Sequence, residues 1–394
     1  MTKKPTRRKF IEQSVKVGMA IPLIGSPLWS CKSETKSEEI AVNEESKKLN
    51  ILILGGTSFL GPHQIAYALS RGHKVTTFTR GKTLPSIHQD LFENVTQLIG
   101  DRENDLTALE NGQWDAIIDN SGHNVEWVKQ SADLLKNKAE LYMFTSSTGV
   151  YYPYLGSDFK EDHEVLLEEP EDADEMDKGV YWYGVMKSNS EIAVREHFGE
   201  DRAIVVRPTY MIGPADKTNR FIHWPIRLSK PGEVLVPGKK EDPVQYVDVR
   251  DAAEFMIRLL EERNTGTYNC VGPKESQGIF DFVVEANKAF DINRTIVPIE
   301  DYEFLKENDV HYLVPWIKPE GNNAGSALVN TDKCIAAGLT FRDLKTTMKE
   351  TYDWWMSEGM KEVREEYESD EKSLINREAD ILEAWKTRKN INTN

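Results

Sequence analysis

The chain has 394 residues, of which 65 are acidic and 49 are lysine or arginine, and its formal net charge is −16. This length allows one large domain or two ordinary ones, each with a sizeable core. The negative charge argues against a phosphate-backbone binder, three cysteines are too few for a disulfide scaffold, and no apolar stretch is long enough for an ordinary membrane-spanning helix.

Residues 1–48 are predicted to be an export signal followed by a disordered tether. Arg7-Arg8 and Phe10 precede a weakly apolar segment, Val15 to Leu28, and this order resembles a bacterial twin-arginine signal for export to the periplasm. The segment from Leu28 to Cys31 resembles a lipidation site, so Cys31 carries either a lipid anchor or an unmodified thiol. The polar stretch that follows cannot bury enough surface to fold.

A strand, a glycine-rich turn and a helix follow one another from residue 49. Leu49 to Leu54 is a nearly continuous apolar run, which is typical of a strand buried on both faces of a parallel sheet. Glycines in the next turn let the backbone approach a pyrophosphate, and the helix N-terminus supplies N–H groups and a positive dipole. The residues predicted to bind a dinucleotide there are Gly55, Thr57, Ser58, Phe59, Leu60 and Gly61.

The end of the second strand bears on the choice of cofactor. An acidic residue at this place would bond to the ribose 2′-OH of NAD, but the strand ends with Thr79 and Arg80. Arg80 can pair with a 2′-phosphate, so the sequence favours NADP over NAD as the NAD(P) cofactor. The alternative is an arginine that is merely solvated at a strand end.

The strand–helix pattern repeats through four further strands, which predicts an α/β fold with a doubly wound parallel Rossmann sheet. The ligand of such a sheet lies at the carboxyl ends of its strands. We assign residues 49–210 to this NAD(P)-binding domain. Residues 211–345 are predicted to form mostly a small C-terminal α+β substrate-binding region, with a segment near 244–262 returning to the Rossmann domain. Residues 346–394 are predicted to be a helical tail.

A serine, a tyrosine and a lysine carry the expected chemistry. Tyr183 and Lys187 lie four residues apart in a predicted helix and so share one face, where the ammonium should lower the phenol pKa. Ser147, at a strand end, is placed to hold a substrate oxygen. A Tyr–Lys pair at this spacing is also common on helix surfaces. Together with the dinucleotide turn, however, the three residues predict proton transfer at an alcohol while a nicotinamide takes hydride.

These motifs together resemble the extended short-chain dehydrogenase/reductase family, the NAD-dependent epimerase/dehydratases, over about residues 49 to 357. The resemblance implies that Tyr183 is the acid/base, that Lys187 is its pKa partner and a ribose ligand, and that Ser147 orients the substrate. It implies further cofactor contacts at Asp101, Asn120, Ser121, Gly122 and Arg207, and substrate contacts at Thr148, Asn124 and Tyr210. The family pattern expects glycine where Ser58 stands.

The expected function is therefore an NAD(P)-dependent epimerase/dehydratase, an isomerase or an oxidoreductase, acting on a sugar-like secondary alcohol with a tightly bound cofactor. A small sugar-like molecule is the expected partner, and the chain can also pair with a second copy as a homodimer. Neither nucleic-acid binding nor a metal site is expected. Residues 79–81 and 100–102 also resemble an atypical branch that includes chloroplast stem-loop RNA-binding proteins. A non-catalytic nucleotide- or RNA-binding protein is thus the alternative. The acidic segment 158–178 is predicted to be a surface loop.

Overall fold

The computed structural model describes residues 47–393. The twin-arginine pattern and Cys31 lie outside the described residues, so export and lipidation stay predictions. Within the described part, no helix combines the length and the hydrophobicity that a membrane crossing needs.

Fourteen strands form the sheets of residues 47–393. In chain order they are β1 (Asn50–Leu54), β2 (Lys74–Thr79), β3 (Thr96–Ile99), β4 (Trp114–Asp119), β5 (Ala139–Thr145), β6 (Ala203–Pro208), β7 (Met211–Ile212), β8 (Gly232–Pro237), β9 (Pro243–Asp248), β10 (Gly266–Cys270), β11 (Gly272–Gly278), β12 (Arg294–Ile299), β13 (Tyr312–Leu313) and β14 (Trp316–Ile317).

Eleven α-helices accompany these strands in the same residues. In chain order they are α1 (Leu60–Ser70), α2 (Val125–Leu135), α3 (Lys178–Phe198), α4 (His223–Leu228), α5 (Val249–Glu261), α6 (Ile279–Asn287), α7 (Tyr302–Glu307), α8 (Asp332–Ala336), α9 (Leu344–Trp355), α10 (Lys361–Ser369) and α11 (Leu374–Thr393).

Seven strands form one parallel sheet in the order β10-β6-β5-β4-β1-β2-β3. The central strand β1 is buried on both faces, as its apolar run predicts. Ile51 and Ile53 join the core beneath α1 and α5, whereas Leu52 and Leu54 join the core beneath α2 and α3. Helices thus cover both faces of the sheet, and the predicted doubly wound Rossmann fold is confirmed.

A second region contains smaller sheets. Strand β9 lies between β7 and β11, and β8 pairs in parallel with β12. Its core includes Trp224 from α4, Phe282 from α6 and Met348 from α9. Strand β9 then leads into α5, which is capped by the Asp248 carboxylate and packs on α1. Through α5 the chain thus packs again on the Rossmann domain.

Two parts of the chain pack differently from the expected boundaries. Strand β10 extends the seven-stranded sheet, although its residues had been assigned to the substrate region. Helix α11 belongs to the core of the second region, where Ile381 and Leu382 are buried and Glu378 pairs with Arg227 of α4. The C-terminal tail is therefore docked, with only its outer faces exposed.

Candidate active site

The glycine-rich turn connects β1 to α1, and its backbone lies very close to the first turn of that helix. Gly55 and Gly56 have φ angles of +99° and +104°, a region that L side chains rarely adopt. A Cβ atom on Gly61 would lie 2.4 Å from the Cα atom of Gly56, so the first turn of α1 rests directly on the turn backbone. Phe59, Leu60 and Gly61 therefore shape the turn from behind, and Thr57 and Ser58 face the cavity in front of it.

A cavity of about 370 Å³, here called the nucleotide cavity, opens at this turn and at the ends of β2, β3 and β4. Six of the predicted cofactor residues line it: Gly55, Thr57, Ser58, Arg80, Asp101 and Ser121. Other lining residues with functional groups, for which no cofactor contact was predicted, include Lys82, Arg102, Glu103, His123 and Trp127.

A buried ion pair forms the floor of the nucleotide cavity. Both terminal nitrogens of Arg102 donate to the Asp119 carboxylate, and one of them also donates to Ser121 Oγ at 3.0 Å. Burial alone would raise the pKa of Asp119, but the Arg102 guanidinium outweighs this effect and holds that pKa below its usual value. Arg102 Nε is buried and has no hydrogen-bond partner within the described residues.

A second cavity of about 550 Å³, here called the substrate cavity, brings the predicted catalytic residues together. Ser147, Tyr183 and Lys187 all line it, together with the predicted residues Asn120, Thr148 and Tyr210. His123 lines both cavities, so the two are adjacent at this residue. The two cavities thus lie side by side at the carboxyl ends of the strands, where the fold class predicts a ligand.

Tyr183 lies near the start of α3, against the turn that follows β5. A Cβ atom on Gly149 would lie 3.1 Å from the Tyr183 ring, and one on Gly184 would lie 2.5 Å from the Gly149 carbonyl oxygen. This close packing buries Tyr183 and raises the pKa of its phenol, while a hydrogen bond with Ser147 and the charge of Arg220 oppose the rise. The predicted lowering of this pKa is therefore wrong in direction, because burial outweighs the groups that favour the phenolate.

Lys187 is held by backbone groups. Its Nζ donates to the carbonyl oxygens of Gly122, at 3.1 Å, and Thr145, at 3.0 Å, and lies 5.9 Å from the centre of the Tyr183 ring. Burial lowers the pKa of Lys187 to about 8, with the Asp119 carboxylate opposing this shift. Lys187 therefore still carries its charge at neutral pH, and it brings that charge to the boundary between the two cavities.

Six predicted site residues lie outside both cavity walls: Phe59, Leu60 and Gly61 belong to the turn described above, and the other three are Gly122, Asn124 and Arg207. Arg207 is buried in β6, where its guanidinium binds both carboxylate oxygens of Glu191. Asn124 is exposed and caps α2 by accepting a hydrogen bond from the Glu126 N–H. Gly122 contributes its carbonyl oxygen to Lys187. Arg207 and Asn124 thus have structural roles that local motifs do not reveal.

Comparison with known proteins adds a family assignment. A model described as NAD dependent epimerase/dehydratase family matches residues 51–271. A curated relative, the chloroplast stem-loop binding protein of 41 kDa b from Arabidopsis thaliana, is 28% identical over 252 residues, which cover 58% of this chain and 60% of the relative. The chain thus spans about 60% of the length of that relative.

Several solved structures share the fold. WbmH from Bordetella bronchiseptica, in complex with NAD+, is 17% identical with a TM-score of 0.56, covering 79% of this chain and 100% of its own. A UDP-glucuronic acid 4-epimerase from Bacillus cereus, in complex with NAD, is 16% identical with a TM-score of 0.53, covering 79% and 98%. A dTDP-glucose 4,6-dehydratase from Bacillus anthracis, in complex with NAD, is 15% identical with a TM-score of 0.54, covering 80% and 99%. At such identities the likeness shows the fold alone.

Proposed function

The chain belongs to the NAD-dependent epimerase/dehydratase family, and we propose that it is an enzyme that acts on a secondary alcohol of a sugar-like molecule by reversible hydride transfer. The observation that carries this proposal is the convergence of Ser147, Tyr183 and Lys187 on one cavity that adjoins the nucleotide cavity at His123. A cleft of this kind places a substrate carbon beside a bound nucleotide. A surface pair of tyrosine and lysine would not be buried in this way.

The bound nicotinamide would supply a hydride acceptor for the carbinol carbon and return the hydride in the reverse direction. The chain would hold it with the turn at Gly55 to Ser58 and the ends of β2 and β3. These groups fit a dinucleotide, because the turn leaves its backbone bare and the wall carries the cations Arg80 and Lys82 beside the carboxylates of Asp101 and Glu103.

In the proposed chemistry Tyr183 takes the proton from the substrate hydroxyl and gives it back. Ser147, which hydrogen-bonds with Tyr183, orients the same oxygen. Lys187 Nζ lies 5.9 Å from the centre of the Tyr183 ring, and we propose that its charge favours the phenolate across the cavity. The largest obstacle to ionisation is the burial of Tyr183, so positive charge brought by the cofactor and by Arg220 would assist the reaction.

We further propose that the cofactor is NADP. Strand β2 ends at Thr79, whose hydroxyl accepts a hydrogen bond from the Gly81 N–H. Because this residue is a threonine and not an acid, the strand end provides no carboxylate for a ribose 2′-OH. Arg80 and Lys82 follow and line the nucleotide cavity. Two adjacent cations suit a 2′-phosphate better than a hydroxyl.

The proposed export signal at Arg7-Arg8 would place the enzyme in the periplasm, where free NAD(P) is scarce. The cofactor would then enter the site before export and would have to be restored within each turnover. Epimerisation satisfies this condition, because the hydride leaves and returns to the same substrate, and so does an elimination assisted by a transient oxidation. A simple dehydrogenase would need an external acceptor.

The likeness to a stem-loop binding protein favours a second candidate, RNA binding without catalysis. The net charge of −16 opposes it, because affinity for a phosphate backbone depends on cationic side chains. A salt-sensitive shift of an RNA hairpin by the purified chain, together with the absence of any redox change of bound nucleotide, would favour this candidate.

The test of the proposed enzyme compares Tyr183→Phe with the wild-type chain. Bound nucleotide is followed by its near-ultraviolet absorbance while sugars, sugar acids and glycosides deuterated at carbinol carbons are added, and label transfer is measured by mass spectrometry. Loss of the acid/base group should slow label transfer by on the order of 10²–10⁴-fold while nucleotide stays bound. Tyr181→Phe, on the same helix but outside the cavity wall, is the matched control and should leave the transfer rate unchanged. Equal rates in Tyr183→Phe and wild type would disprove the mechanism.

A further inference from the structure

The charges on the wall of the substrate cavity are few and of one sign. Among the described residues that line it, the charged side chains are Lys187 and Arg220, and none is a carboxylate. Lys187 is buried and already donates to two backbone carbonyl oxygens. Arg220 is exposed to the cavity and is therefore the cation that a substrate can reach.

Arg220 is held in place from one side and free on the other. Its Nε donates to Thr218 Oγ1 at 2.8 Å, and this hydroxyl donates to the carboxylate of Asp216, which is only 5% exposed. The guanidinium carbon lies over the Tyr210 ring, 5.5 Å from its centre, within the range of a cation–π contact. Within the described residues neither terminal nitrogen of Arg220 has a hydrogen-bond partner. The Tyr210 ring and the Thr218 hydroxyl thus orient the guanidinium of Arg220.

A guanidinium with two free terminal nitrogens matches the two oxygens of a carboxylate. The rest of the wall suits a sugar ring, because it presents the side chains of Tyr154, Tyr183, Tyr210 and Tyr312. Tyr210 and Tyr312 pack edge to face, with ring centres 6.0 Å apart, so this aromatic surface is continuous beside Arg220.

The segment beside the cavity disfavours ligands with more negative charge. Residues 158–178 contain eleven acidic residues and two lysines and lead directly into Gly179 and Val180, which line the cavity. Asp177 is fixed there by a hydrogen bond from Asn322 at 2.7 Å. The two negative charges of a diphosphate would face this acidic segment with one accessible arginine, Arg220, to balance them. The single charge of a carboxylate is balanced by that one guanidinium.

We propose that Arg220 binds the carboxylate of the substrate, and that the substrate cavity selects sugar acids over neutral sugars and over sugars linked to a nucleoside diphosphate. This inference rests on the proposed function for its relevance to catalysis, because it names the substrate class of the same site. Binding of a sugar acid at Arg220 is nevertheless measurable without turnover.

The experiment measures binding of D-glucuronate, D-galacturonate and D-gluconate against D-glucose and UDP-glucose by titration calorimetry, using the full chain with its nucleotide. We expect at least one sugar acid to bind about ten-fold or more tightly than glucose, the gain of a charge-assisted bidentate pair. Arg220→Gln should abolish this preference, and Arg220→Lys should keep part of it, since the charge remains but the fork is lost. Arg263→Gln, an exposed arginine paired with Glu140 outside the cavity wall, should retain the wild-type preference.

An unchanged sugar-acid preference in Arg220→Gln would overturn the proposal. So would a wild-type protein that binds none of the three acids, or one that binds UDP-glucose more tightly than the acids. The failure of the proposed function gives a different pattern. In that case sugar acids bind in an Arg220-dependent way, but no label transfer or redox change of the nucleotide occurs. Conversely, label transfer with neutral sugars that is indifferent to Arg220 would support the enzyme and refute the sugar-acid site.

Discussion

The position of Arg207 shows how a buried residue next to an active site serves the fold. Its guanidinium donates to both oxygens of Glu191, at 2.9 and 2.7 Å, and to the Tyr151 hydroxyl at 2.7 Å. Ser146 also donates to Glu191, at 2.6 Å. The network therefore fastens β5 and β6 to α3, the helix from which Tyr183 and Lys187 line the substrate cavity.

Arg207→Lys tests this assignment. Lysine keeps the charge but loses the bidentate geometry, so the free energy of unfolding should fall by about 1.5–3 kcal/mol, the worth of a hydrogen bond to a charged group. The dissociation constant of NADP should stay unchanged. Urea denaturation and equilibrium dialysis measure the two quantities. Arg80→Gln is the matched control with the opposite pattern, because it should weaken NADP binding at unchanged stability. If Arg207→Lys lost as much NADP affinity as Arg80→Gln, Arg207 would be a cofactor-binding residue after all.

Part of the site could be predicted from single residues, and part could not. Gly55 to Gly61, Ser147, Tyr183 and Lys187 stand in local motifs whose spacing reflects the geometry of one turn or one helix. Arg220 lies in an irregular segment between β7 and α4, where no periodicity predicts which way a side chain points. His123 directly follows the Asn120-Ser121-Gly122 loop, and that adjacency was the signal that could have identified it.

At the scale of elements, α4 contains a buried polar group without a partner. His223 is 2% exposed, and neither ring nitrogen has a hydrogen-bond partner within the described residues. Its ring packs edge to face on Trp224, with centres 5.2 Å apart. Burial, assisted by the nearby Arg227 charge, lowers the pKa of His223 to about 3, so the imidazole is neutral in the folded protein.

This pKa shift predicts a loss of stability in acid. Below an unfolded-state pKa of about 6.5 the unfolded chain binds a proton that the folded chain excludes, so His223 reduces the free energy of unfolding by about 2 kcal/mol at about pH 5. His223→Phe removes this loss, and at neutral pH it should add about 1 kcal/mol by eliminating the unsatisfied nitrogens. Urea denaturation at the two pH values measures both effects. His311→Asn, at an exposed site, should keep the wild-type pH dependence, and the same dependence in His223→Phe would refute the argument.

The strands differ in how far the sequence predicts them. Strand β1 is flanked by strands and covered by helices on both faces, so burial demands a continuous apolar run that is visible in the sequence. Strand β10 reads Gly-Thr-Tyr-Asn-Cys and lacks that signal. Its polar side chains find partners from distant segments, since Thr267 accepts from Arg195 and Asn269 accepts from Tyr151. Such long-range partners decide the strand and are not visible locally.

On the scale of the whole molecule, the fold concentrates its cleft on one edge of the sheet while the chain as a whole is strongly acidic. The nucleotide cavity nevertheless carries Arg80, Lys82 and Arg102, and the substrate cavity carries Lys187 and Arg220. Cations placed in an acidic protein attract anions at the cleft and leave the remaining surface repulsive to a phosphate backbone. This distribution is the one expected for an enzyme of dinucleotide chemistry, and the opposite of a nucleic-acid-binding surface.

The most direct test of the account is the nucleotide content of the purified chain. Protein prepared without added cofactor is denatured, and the released nucleotide is identified and counted by mass spectrometry. We expect about one NADP(H) per chain, because a cofactor that is restored in each turnover need not leave the site. NAD(H) in its place would contradict the argument from Arg80 and Lys82. The absence of any nucleotide, together with no binding of NADP or NAD when they are added back, would contradict the central claim that this cleft is a dinucleotide-dependent active site.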